Sequence, residues 1–195
     1  MGRIVATTFV TLDGVMQGPG HPDEDRRDGF DRGGWAAPYS DEEFAQAMGI
    51  GIARSNAMLF GRRTYEHFAT VWPPQGDSNL FAKVLNEREK FVVSTTLQEP
   101  LPWANSTLLA GDAAQTVPPL KAEREQDMVI LGSATLVRSL LAAGLLDELV
   151  LVVHPVVLGA GRKLFDDGSF AATLRLERSQ TTAAGLVISH YAPME

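Results

Sequence analysis

The residues best suited to chemistry stand where apolar runs end. In Leu59-Phe-Gly-Arg-Arg-Thr-Tyr-Glu66 a β-branched and aromatic run stops at Gly61, and a helical pattern starts at once with Arg62, Arg63 and Thr64. A glycine at that point lets a ligand approach the backbone closely. The helix start offers free N–H donors and a positive dipole end to a phosphate. Guanidinium forks match phosphate oxygens, so the pattern fits anion binding, against the plainer alternative of a solvated helix start. Ile130-Leu-Gly-Ser-Ala-Thr135 repeats the arrangement with small residues only, which fits either a pyrophosphate or tight strand–helix packing. Val92-Val-Ser-Thr-Thr96 ends a third run in hydroxyls. Three such ends, two of them running into helices, fit one extended polyphosphate ligand across the edge of a sheet.

Two titratable residues also sit at strand ends. Asp13, in Thr11-Leu-Asp-Gly14, is placed either to orient a substrate or cofactor amide or to make an Asx turn. His154, in His154-Pro155, is placed either to face a ligand or to pack. Other patterns fall short. Gly49-Ile-Gly-Ile-Ala-Arg54 lacks the third glycine of a dinucleotide fingerprint and lies inside a helical pattern, and Gly159-Ala-Gly161 lacks the rest of its motif. The stretch His21-Pro-Asp-Glu-Asp25 has metal-ligand residue types but no partner cluster, so no metal site is expected.

These residues need strands and helices to hold them. Arg3–Val10, Ala57–Phe60, Lys90–Ser94, Met128–Leu131 and Glu148–His154 are short, β-branched and not alternating, as in strands covered on both faces. Ser40–Ala53 opens with a capping arrangement, Ser40 followed by Glu43, and sets Phe44, Ala47, Met48 and Ile52 on one face. Thr64–Ala69, Asn79–Arg88 and Ser133–Ala143 read as further helices, the last stopping at Gly144. Residues 112–125 read as a helix that Pro118–Pro119 should break or restart. Leu174–Thr182 alternates, and Leu186–Tyr191 follows after Ala183-Ala184-Gly185, which predicts a closing antiparallel hairpin. The expected class is α/β, a mixed, mostly parallel sheet flanked by helices. The loop 14–38, rich in Gly, Pro, Asp and Arg, is long enough to suggest function.

Composition bounds the function. The chain has 195 residues, 45% hydrophobic, which predicts a single domain over 1–195. With 17 Lys and Arg against 24 Asp and Glu, the net charge of −7 argues against a nucleic-acid partner. There is no cysteine, which removes disulfides, thiolate metal sites and cysteine nucleophiles, and is compatible with a reducing compartment. The N-terminus has neither the apolar length nor the cleavage site of a signal peptide, and no run approaches a membrane span; a cytoplasmic protein without a membrane partner is expected.

Leu12-Asp-Gly14, Phe60-Gly-Arg-Arg-Thr-Tyr65, Val93-Ser-Thr95, Leu131-Gly-Ser-Ala-Thr-Leu136 and Pro155-Val-Val-Leu-Gly-Ala-Gly161, in that order, resemble the dihydrofolate reductase-like superfamily. The closest resemblance is to the C-terminal reductase domain of the bifunctional riboflavin-biosynthesis deaminase–reductase, over essentially the whole chain. The resemblance implies an NADPH-dependent reductase on a sheet of about eight strands, acting on a small heterocyclic or carbonyl substrate. It implies that Gly61, Arg62, Arg63 and Thr64 hold the pyrophosphate and 2′-phosphate, and that Ser94 and Thr95 flank the adenosine ribose phosphate. Gly132, Ser133, Ala134, Thr135 and Leu136 would meet the pyrophosphate, and Phe9, Met16 and Gln17 the nicotinamide amide. Trp35, Tyr39, Phe44 and Met48 are the expected substrate wall, with Asp13 or His154 serving proton delivery. The acidic helix residue of true dihydrofolate reductases falls at Ala45 here, which directs the expectation away from dihydrofolate and leaves a non-catalytic NADPH-binding or ligand-sensing protein as the alternative. A homodimer is common among such domains.

Overall fold

The computed structural model describes residues 2–166 and 170–194. Its strands are β1 Ile4–Thr11, β2 Ser55–Gly61, β3 Glu89–Ser94, β4 Ser106–Ala110, β5 Asp127–Leu131, β6 Glu148–His154, β7 Leu174–Thr181 and β8 Val187–Pro193. They form one eight-stranded sheet in the order β4-β3-β2-β5-β1-β6-β8-β7. The pairings from β4 to β6 are parallel, and β8 joins β6 and β7 antiparallel. The strand–helix alternation of the first 154 residues and the closing hairpin thus make a mixed α/β sheet with the dihydrofolate reductase-like topology.

Side chains alternate across β1 and sort the two cores. Ile4, Ala6 and Val10 turn to one face, against Val117 of α4 (Ala113–Glu123) and Val137 and Leu140 of α5 (Ala134–Ala142). Val5 and Phe9 turn to the other, against Phe44, Ala47 and Met48 of α1 (Glu42–Ala53). On that second face α2 (Arg62–Val71) and α3 (Leu80–Glu87) cover β2 and β3 through Tyr65 and Leu85. Burial on both faces is why β1, β2, β5 and β6 read as unbroken apolar runs.

Local details depart from the sequence reading. The strand β4 was not anticipated: it is a half-exposed edge strand, and the short Ser-Thr-Leu-Leu-Ala carries no sustained run. The helix α4 continues through Pro118 and Pro119. Each proline removes one backbone donor, but Val117 and Lys121, four residues apart on one face, are buried, and Lys121 Nζ holds Asp147 at 2.6 Å and the Leu145 carbonyl at 3.0 Å. The cap of α1 is Asp41, not Ser40: its carboxylate accepts the Phe44 N–H at 2.7 Å and the Ala184 N–H at 2.9 Å, which hold its pKa below the usual aspartate value. Glu43 accepts the Ala183 N–H at 2.7 Å instead of closing a capping box. The first turn of α1 therefore grips the tip of the β7–β8 hairpin.

Candidate active site

The C-terminal ends of β2, β3 and β5 open on one cavity of about 2300 Å³. That exceeds the roughly 300–1,000 Å³ of an ordinary small-molecule pocket and leaves room for two ligands side by side. Gly61 is the N-cap of α2 and Ser133 the N-cap of α5, and neither helix has a side-chain hydrogen bond capping its first turn. Two sets of free N–H groups thus face the same space. The turns are tied together: Ser133 Oγ accepts the Gly61 N–H at 3.1 Å and donates to Thr64 Oγ1 at 2.8 Å. Gly132 has a φ of +76° and Ser133 one of +61°, two successive left-handed residues. In a serine that conformation costs about 1–2 kcal/mol, and such backbone strain concentrates at ligand-binding turns.

Arginines and hydroxyls complete this edge. Arg62 pairs with Glu66 at 3.0 Å one turn on. Arg63 is exposed on the cavity wall, with no ion pair among the described residues. Ser94 is buried, its Oγ accepting the N–H groups of Thr96 at 3.1 Å and Leu97 at 3.0 Å, so it shapes the turn that presents Thr95. The next strand end, Gly111-Asp112-Ala113, also lines the cavity and went unrecognised in the sequence because β4 did.

Of the sequence-derived site residues, Phe9, Met16, Gln17, Gly61, Arg62, Arg63, Thr64, Ser94 and Thr95 all reach this cavity. So do Gly132, Ser133, Ala134, Thr135 and Leu136 at the start of α5, and Phe44 and Met48 on α1. Four others do not. Asp13 turns away, accepting from Thr11 Oγ1 at 2.6 Å, the Leu158 N–H at 3.2 Å and the Gly159 N–H at 2.7 Å. Thr11 foremost, with the two backbone donors, lowers its pKa to about 2. A carboxylate so held is ill suited to giving up a proton near neutrality. Its geometry is that of a clamp between the loop after β1 and the loop 155–166.

His154 is buried, with Nδ1 at 3.1 Å from the Val152 carbonyl; desolvation pushes its pKa below the usual histidine value. Its ring is enclosed by Trp35 at 5.0 Å, Phe9 at 5.6 Å and Tyr39 at 5.8 Å between centroids. Trp35 is itself buried and donates its indole N–H to the Gln17 carbonyl at 2.8 Å. Trp35, Tyr39 and His154 thus make an aromatic layer behind Phe9 and Gln17 rather than a wall of the cavity. Gln17 is fixed from both sides: its Oε1 accepts the Arg162 N–H at 2.9 Å, and its Nε2 donates to the Arg27 carbonyl at 3.1 Å.

The comparisons with known proteins agree with this architecture. The family model of the RibD C-terminal domain matches residues 3–188. The uncharacterized protein YyaP of Bacillus subtilis (strain 168) is 28% identical over 191 residues, covering 95% of this chain and 92% of its own. A pyrimidine reductase-like protein of Corynebacterium diphtheriae superposes with a TM-score of 0.65 at 16% identity, over 100% of this chain and 92% of that one. The diaminohydroxyphosphoribosylaminopyrimidine deaminase/5-amino-6-(5-phosphoribosylamino)uracil reductase of Thermotoga maritima gives 0.65 at 12% identity, over 99% of this chain and 57% of that longer one. The solved structures share the fold. With the family model covering nearly the whole length, the chain belongs to the RibD C-terminal domain family.

Proposed function

We propose that this protein is an NADPH-dependent reductase of a small heterocyclic or carbonyl substrate other than dihydrofolate. One observation carries the reading: two uncapped helix starts, the Arg62–Arg63 pair and the Thr64 and Thr95 hydroxyls converge on one cavity large enough for cofactor and substrate together. When bound, the dihydronicotinamide supplies the hydride for a C=N or C=O bond.

The chain's own residues bind and orient. Gly61–Thr64 and Gly132–Leu136 hold the phosphates through backbone N–H groups, and Arg63 with the Ser94–Thr95 turn takes the 2′-phosphate. Phe9, Met16 and Gln17 meet the nicotinamide amide, and Phe44 and Met48 form an apolar wall that keeps water from the transfer. Asp13 acts as a positioning residue, holding the strand end that leads to Met16 and Gln17. The proton for the substrate heteroatom comes from water.

A non-catalytic NADPH-binding or ligand-sensing role is the second reading, favoured by the position of Asp13 and His154 away from the cavity. On either reading the protein acts in the cytoplasm on a small molecule, as a homodimer, with no nucleic-acid or membrane partner; no helix among the described residues is long and apolar enough to cross a membrane. A sedimenting mass of twice the 21.1 kDa of one chain would support the dimer, and a single-chain mass would refute it.

Thermal unfolding with NADPH, NADH or no ligand tests the cofactor. Ligand at about 100 times its Kd adds about 2.7 kcal/mol, a Tm rise of roughly 5–11 °C for this size. A rise with NADPH and little with NADH is expected; no rise with either overturns both readings. NADPH oxidation in the presence of any heterocycle or carbonyl compound from a panel then separates reductase from sensor.

A further inference from the structure

The two faces of the sheet are covered unevenly. On the side of α4 and α5, the central strands β1 and β5 are sealed, with Ile4, Ala6, Met128 and Ile130 fully buried. Farther along the same face the cover thins. Leu151 and Val153 are only partly buried although β6 is an inner strand, and so is Tyr191 of β8. Val187 of β8 is 38% exposed and Leu176 of β7 51%. Register places them on one surface: Leu151 and Val153 stand opposite Ser189 and Val187, and Tyr191 stands opposite Leu176.

This surface carries no charged side chain from its three strands. The charges stand on the reverse face. There Glu148 of β6 accepts from Arg3 Nη2 at 2.9 Å and lies 2.6 Å from the His190 ring, Arg178 stands opposite His190, and Arg175 stands opposite Ala192. In β7 this separation depends on a β-bulge. Plain alternation from Leu174 and Leu176 would bring Arg178 onto the apolar surface. The register shifts between Leu176 and Arg178, so Ser179 and Thr181 come there instead, opposite Ser189 and Val187. Glu177, beside the shift, turns its carboxylate to Arg175 Nε at 2.8 Å. In a chain that is 21% charged, exposure to water alone would not select a three-strand surface without one charge.

We propose that this surface docks a second copy of the chain, the β6–β8–β7 faces of one protomer and its partner packing across a two-fold axis at about the 10 Å of stacked sheets. The proposal rests on the homodimer of the reading above and gives it an interface. Each copy has a net charge of −7, so two copies repel through their charged surfaces. On the uncharged face they meet with no like charges opposed. A foreign partner would find no charge there to steer it or fix its register. Tyr191 among leucines and valines has the make-up of an interface core, aromatic and depleted of charge. Pairing through the free edge of β7 is disfavoured by the bulge and by Arg175, Glu177 and Arg178, so the copies join by faces rather than edges.

Sedimentation equilibrium of wild type, Leu176→Asp and Val187→Asp tests the placement. Wild type is expected at twice 21.1 kDa at micromolar concentration. Each substitution should weaken the dimer about a hundredfold or more, because a two-fold interface buries the unpaired carboxylate twice. Leu80→Asp, at a residue 77% exposed on α3 over the other face of the sheet, should leave the mass unchanged. Mixing Leu176→Asp/Val187→Asp with Leu176→Lys/Val187→Lys should restore a dimer, which a misfolded variant cannot do. A dimer that persists in both aspartate variants, or a loss that the mixture does not rescue, overturns the placement and leaves the homodimer standing. A wild type that sediments as a single chain overturns both.

Discussion

Ser133 and Thr64, 69 residues apart in sequence, share a hydroxyl–hydroxyl hydrogen bond of 2.8 Å that joins the helix start after β5 to the helix start after β2. The same Ser133 oxygen takes the Gly61 N–H. Both turns at this edge of the cavity are thus held by one side chain.

Ser133→Ala removes both bonds and is expected to cost about 1–3 kcal/mol, since it strands a sequestered N–H. Ser133→Gly loses the same bonds but relieves the left-handed strain. Urea unfolding should therefore rank wild type above Gly and Gly above Ala, and NADPH affinity should fall in both variants.

Arg63 has no competing partner among the described residues, whereas Arg62 is shared with Glu66. Arg63→Ala should weaken NADPH binding by about 1.5–3 kcal/mol, the range of a charged hydrogen bond, and leave NADH binding nearly unchanged. Calorimetric titration of both nucleotides checks this; equal loss for the two would remove Arg63 from the 2′-phosphate.

The clamp at Asp13 makes a pH prediction. Its folded pKa of about 2 lies below the ordinary 3.8. Its contribution is therefore complete above the ordinary value and drains away as pH falls toward about 2. Asp13→Asn should flatten the fall of Tm across that window. At neutral pH it should raise KM more than it lowers kcat, because the loop carrying Met16 and Gln17 is loosened rather than a proton donor lost.

Trp35→Ala empties a buried aromatic site and strands the Gln17 carbonyl, so it should destabilise by about 3–5 kcal/mol. A Tm equal to wild type with KM alone raised would return Trp35 to the substrate wall.

Lys90 is fully buried, its ammonium donating to the carbonyls of Asn86 at 3.0 Å, Arg88 at 2.7 Å and Ala104 at 3.0 Å. Desolvation lowers its pKa to about 8. Lys90→Met keeps the stem but leaves those carbonyls without the donor, an expected loss of about 3 kcal/mol or more. In wild type the folded state releases its proton first, so stability should rise between pH 8 and the ordinary 10.5. Chemical denaturation across that range shows the slope, and its absence in Lys90→Met assigns it.

What could be read from the residues follows burial. β1, β2, β5 and β6 declare themselves because both faces are covered, and β4 does not because its side chains are half in water. Gly61 and Gly132 mark the strand–helix turns that open on the cavity, because small residues at such a junction point either to a ligand or to close packing. Asp13 and His154 look equally functional in sequence, but a strand-end position says nothing of depth or direction. The Arg3–Glu148–His190 grouping was out of reach: it joins the residue just before β1 to the start of β6 and to β8, which lie far apart in the chain.

The grip of Asp41 and Glu43 on the backbone of Ala183 and Ala184 makes α1 a brace. Its N-terminal end is pinned to the hairpin tip, and its C-terminal end is fastened to β2, where Ile52 is buried and the Ser55 hydroxyl donates to the Ile52 carbonyl at 3.0 Å. Phe44 and Met48, on the span between the two anchors, line the cavity, so the width of the cleft on this side is set by contacts at the two helix ends.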